Sequence, residues 1–204
     1  MTEQKRHGFV GWFFGPYAEY VRRIKPLFVL CSLLFILSLG MGYLLGNTFP
    51  GSALESLLGT FPDVSQMSLF DIFVFVVANN ASKSLLFMIL GLLGGIPPLL
   101  FVVLNGFFVG WVAWSLSSAS GLAYVVAGLT PHGIIEIPTI LLSMSMGMSF
   151  GYALLNKIRG RGGFSTEAKY AILLFINRII PLLILAAVVE VTVTPLFLLL
   201  LGFT

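Results

Sequence analysis

From Leu27 to Leu45 the chain carries no charged side chain, and comparable apolar runs recur to its C-terminal end. A helical run of more than ~18 such residues is long enough to cross the hydrocarbon of a bilayer. A surface that faces water needs charge, about a quarter of the residues in an ordinary soluble domain. Here charged residues make up 9% of the chain and hydrophobic residues 58%, and the mean hydropathy is +1.02. A soluble globule is excluded, and a soluble enzyme with it. The fold expected is all-α: a polytopic transmembrane helical bundle of about five spans, with short re-entrant or interfacial helices. The 204 residues suffice for one such domain, placed at 26–204 behind a cytoplasmic amphipathic segment at 1–25.

The net charge of +3 and the pI near 9.2 do not point to nucleic acid, because the basic residues flank apolar runs. Lys5, Arg6, Arg22, Arg23 and Lys25 precede the first run; Lys157, Arg159 and Arg161 follow the fourth in a glycine-rich loop. The loop between Asn47 and Met67 holds Glu55 and Asp63 but no Lys or Arg. Basic flanks stay on the cytoplasmic side, so five crossings of the cell membrane put the N-terminus inside and the C-terminus outside. Phe9, Trp12, Phe13, Phe14, Tyr17 and Tyr20 among basic residues read as a headgroup-level anchor, divided at Pro16. The stretch is too long and aromatic for a secretory signal. Cys31, the single cysteine, reads as a small packing residue.

The first span is expected over Leu27–Leu45, ended by Asn47-Thr48-Phe49-Pro50-Gly51. The second, Leu69–Leu93, is either one tilted helix or two pieces broken near Asn79-Asn80. Gly94-Gly95-Ile96-Pro97-Pro98 turns the chain into a third span, Leu99–Leu116. Leu122–Leu129 alone is too short to cross and reads as a re-entrant or interfacial helix, with Thr130-Pro131 starting the fourth span. The fifth runs from about Ser165 to Val189. Whether Leu196–Phe203 turns back or completes that helix is open.

A polar group in hydrocarbon is costly, so each one is a candidate site. These are Asn79, Asn80, Lys83, Asn105, His132, Glu136, Asn177, Arg178 and Glu190. His132 and Glu136, four apart, share a helix face, and Glu190 closes the fifth helix at a similar depth. All three are of types that ligate a divalent metal such as zinc, although no second histidine completes a His-Glu-x-x-His motif. A metal or proton site, a buried hydrogen-bond network and a substrate or water path all fit the three. In each case a proton-sharing carboxylate is expected, because an isolated charge at that depth is expensive. Asn79, Asn80 and Lys83 read either as a broken helix lining a cavity or as interhelical hydrogen bonding. Arg178, midway along the fifth span, is expected to pair inward with Asp71, Glu136 or Glu190, with snorkelling of its side chain toward the headgroups as the alternative. Gly42/Gly46, Gly106/Gly110 and Gly147/Gly151 are small-x-x-x-small pairs suited to packing within the bundle or to a homodimer.

In order along the chain stand Asn79-Asn80, Gly94-Gly95 with Pro98, Asn105-Gly106 with Gly110, and Pro131-His132-Gly133 with Glu136. Ala186-Ala187 with Glu190 and Thr194-Pro195 complete the series. This series resembles the stage II sporulation protein M family and covers about residues 70–196. The resemblance implies a membrane-embedded scaffold that assembles or recruits envelope-remodelling protein partners, as the namesake recruits cell-wall hydrolases during engulfment. Two further functions rest on the polar residues themselves: a transporter or channel for an ion or small solute, and an intramembrane metal-binding protein or metal-dependent enzyme. No nucleophile–base pair, phosphate loop or cofactor fingerprint supports other catalysis.

Overall fold

A computed structural model describes residues 13–49, 52, 53, 56, 59 and 66–203. The aromatic and basic residues before Phe13, and Phe61-Pro62-Asp63 in the long loop, lie outside the described residues. Five helices are long and apolar enough to cross a membrane, and the described residues contain no strand. They are α1 (Ala18–Leu44), α2 (Leu69–Leu90), α3 (Ile96–Ser120), α4 (Leu122–Ile158) and α5 (Phe164–Leu200).

Several boundaries differ from expectation, and prolines explain most of them. A proline inside a helix withholds one N–H from the carbonyl four residues back. In a bundle that loss is tolerated, because neighbouring helices and hydroxyls satisfy the freed groups. Pro16 therefore sits in a 3-10 turn, Gly15–Tyr17, that runs straight into α1, and Pro26 stands inside α1. The helix thus passes unbroken across the expected division at Lys25. Leu122–Leu129 is not a separate short helix; it forms the first two turns of α4, which continues through Pro131 and Pro138. At 37 residues, α4 is about 55 Å long, well beyond ~30 Å of hydrocarbon. Likewise α2 is continuous through Asn79-Asn80, and the C-terminal tail completes α5.

The ends are set by local chemistry. Ser68 and Asp71 form a reciprocal capping box at the start of α2. Gly94 and Gly95, at φ 70° and 77°, take the left-handed conformation that reverses the chain before Pro97 and Pro98 open α3.

At the centre is α4, which packs on α1, α2, α3 and α5. From Thr139 to Gly147 every residue is buried, so this stretch is enclosed on all sides. Ser143, fully buried, donates to the Ser84 carbonyl of α2 at 3.1 Å. The paired glycines occupy two helix contacts. Gly42 lies on the Phe107 backbone, Gly110 on that of Leu39, Gly106 against Phe35 and Ser38, and Gly46 against the Trp114 ring, all between α3 and α1 or the turn that ends it. Gly147 meets Met88 and Gly91, and Gly151 meets Gly91 and Gly95, where α4 crosses the end of α2.

Two turns of α5, Phe175–Ile179 and Val189–Val193, widen to π geometry. Each ends two residues before a proline, Pro181 and Pro195. Widening lets the backbone pass a ring that would otherwise clash with the carbonyl four residues back.

Candidate functional site

The second and fourth helices were expected to carry polar groups, and the fold brings most of them to one place. Asn79, Asn80 and Lys83 of α2, Asn105 of α3 and Glu136 of α4 line a single cavity of about 260 Å³. Phe35, Phe101 and Ile140 supply apolar wall. Asn79 Nδ2 donates to Asn80 Oδ1 at 3.1 Å, and the Asn80 amide reaches the Glu136 carboxylate. All five polar residues are half-buried. The amides offer both donors and acceptors, the ammonium only donors, and the carboxylate an acceptor that also takes a proton. Such a lining can hold water or a small polar solute inside the bundle.

Glu136 belongs to a second cluster as well. His132, one turn earlier on α4, and Glu190, in the second π turn of α5, place one ligand-type atom each so that all three lie within 4.8 Å of one another. His132 Nδ1 is 3.4 Å from Thr194 Oγ1, which turns back toward the Val189 carbonyl at 3.3 Å. The donor types suit zinc. Zinc ligands sit ~2.0–2.2 Å from the ion and so about 3.4 Å from one another, and closing on one asks the widest pair of this set to draw together by about an ångström. Without an ion the arrangement can pass a proton among two carboxylates and an imidazole. Glu136 joins this cluster to the cavity.

Arg178 is elsewhere. Its Nε donates to the Phe13 carbonyl at 3.1 Å, its guanidinium lies 6.0 Å from the Phe13 ring centroid, and its Nη1 donates to the Asn177 carbonyl at 3.0 Å. That last carbonyl is the one Pro181 leaves without a helical donor. The inward pairing with Asp71, Glu136 or Glu190 is therefore corrected: a freed backbone group and the segment leading into α1 hold Arg178 instead. Asp71 is occupied in its own capping box. Asn177 bonds to the Tyr17 hydroxyl at 3.1 Å and to the Leu173 carbonyl at 2.8 Å.

A further polar knot is absent from the expected set. Glu167, 5% exposed, accepts from Arg23 Nη2 at 2.6 Å and from the Ser149 hydroxyl, with buried Tyr20 alongside. It ties the starts of α1 and α5 to α4, so the basic residues of α1 and of the α4–α5 loop share one end of the bundle. Glu167 reads in sequence as an ordinary first-turn acid, and only the placement of Arg23 across the fold marks it.

Fold and lining together define a multi-pass helical membrane protein with a polar interior. The model of the family described as Stage II sporulation protein M matches residues 31–195, and the chain belongs to that family. It is 29% identical over 182 residues to an uncharacterized protein of Methanocaldococcus jannaschii, an alignment covering 84% of this chain and 83% of the relative. No solved structure matches it.

Proposed function

We propose that this chain is a membrane carrier or channel that binds an ion or small polar solute at mid-bundle, with Glu136 as its proton-exchanging group. The observation behind this reading is that three helices contribute five polar side chains to one cavity, and that Glu136 is shared with the His132–Glu190 cluster. A purely structural network would more simply fill such a volume with apolar side chains. In this reading Asn79, Asn80 and Asn105 replace hydration around the solute, Lys83 balances the carboxylate, and His132 and Glu190 relay a proton toward the end where Thr194 lies. The N-terminus and the basic α4–α5 loop face the cytoplasm and the C-terminus the exterior. The test is proton-coupled flux across proteoliposomes. Wild type conducts, and Glu136→Gln abolishes flux while circular dichroism and elution volume stay unchanged. A flux-silent wild type overturns the reading.

Family membership supports a second reading, a scaffold recruiting protein partners. The exposed basic loop from Lys157 to Gly163 is its natural contact surface. There Glu136→Gln is mild and loop substitutions abolish recruitment, the reverse of the carrier pattern. The donor set at His132, Glu136 and Glu190 keeps a metal site as a third, tested by metal analysis of wild type against His132→Ala.

A further inference from the structure

On the face of α4 turned away from the polar cavity, a groove of about 630 Å³ opens between α1 and α4. Phe14 and Phe28 form one side and Ile134, Pro138 and Leu142 the other. Pro138 shapes it, because its ring replaces an N–H on this face and Thr139 folds its hydroxyl back onto the Ile135 carbonyl at 2.6 Å. Among the described residues the lining carries two cations, Arg22 and Lys25, and no carboxylate. Both are exposed, and neither has an ion-pair partner among the described residues. Arg178, fixed to the Phe13 carbonyl, adds positive charge at the Phe13 wall.

We propose that this groove is a binding site for an anionic phospholipid, its acyl chain between α1 and α4 and its phosphate on Arg22 and Lys25. The apolar part matches a hydrocarbon chain, and the charge is one-signed, with no acid among the described lining residues to neutralise it. Basic side chains beside a membrane helix attract anionic lipid over zwitterionic lipid. An α-helix of a second copy fits less well, because it would leave two cations facing an apolar partner.

The full chain is purified in detergent, mixed with vesicles of equal phosphatidylglycerol and phosphatidylcholine, re-isolated, and its retained lipid measured by native mass spectrometry. Wild type retains phosphatidylglycerol over phosphatidylcholine by about tenfold. The double variant Arg22→Gln/Lys25→Gln loses that preference. Ile134→Trp, at a 68% exposed position of the groove wall, blocks retention of either lipid with the melting temperature kept. Arg159→Gln/Arg161→Gln, in the loop, leaves the preference unchanged. No preference in wild type, an unchanged preference in the Arg22/Lys25 variant, or an equal loss in the loop variant overturns the proposal. A shift of wild type to a dimer under these conditions, with no retained lipid, assigns the groove to a second copy and overturns it too.

Discussion

Arg23 and Glu167 differ in what each leaves behind when removed. The Arg23 side chain is 58% exposed and that of Glu167 only 7%, so water solvates a lone guanidinium but not a lone carboxylate. Arg23→Gln should therefore cost more than Glu167→Gln, which removes the buried charge and keeps an acceptor for Ser149. Hydrogen bonds to charged groups contribute ~1.5–3 kcal/mol; with the guanidinium screened by solvent, the Arg23→Gln loss should fall near the lower end. Thermal melting in detergent checks both, and equal losses would show that the buried carboxylate is not the costly member. The chamber residues are legible in the sequence because polarity in an apolar run is visible without a structure. Glu167 is not, because an acid at a helix start is ordinary. Nor is the partner of Arg178, because the freed Asn177 carbonyl, a backbone group, leaves no trace in residue type.

Two glycines of α1 make the packing argument sharp at the scale of an element. A Cβ on Gly42 would run into the Phe107 carbonyl of α3, whereas one on Gly40 meets nothing within 4 Å. Gly42→Ala should force α1 and α3 apart and cost about 1–3 kcal/mol. Gly40→Ala should be neutral or stabilise by up to ~1 kcal/mol through helix propensity. Opposite signs from the same substitution two residues apart are the expected result in a thermal unfolding series. Small-x-x-x-small spacing points to Gly42 in advance; Gly91 and Gly95 share that spacing but meet Gly147 and Gly151 from the turn that ends α2. The number of spans and most of their limits were legible, since apolar length sets them. Continuity through Pro131 was not. A proline after a short apolar run looks like a beginning, until neighbouring helices are seen to enclose the chain beyond it.

For the whole molecule, the ion pair joining α1 to α5 puts the two basic groups at one end, and orientation then reduces to a single question. Cys31, the sole cysteine, is fully buried, so an introduced cysteine reports alone. Leu201→Cys should react with an impermeant maleimide on intact cells, and Arg161→Cys only after the membrane is opened. Labelling in the reverse order would invert the bundle and, with it, the direction of any proton relay through His132 and Glu190.

The widened turns of α5 have a consequence for how such chains vary in length. An α-helix rotates about 100° per residue, so losing one residue normally swings every later side chain away from its partners. A π turn already holds one residue more than the regular helix would. A deletion within Val189–Val193 is therefore absorbed where it occurs, and Thr194 and the turns beyond keep their facing. Single-residue gaps among related chains should gather at these two turns, each beside its proline, and be scarce in the enclosed stretch of α4, where no slack exists.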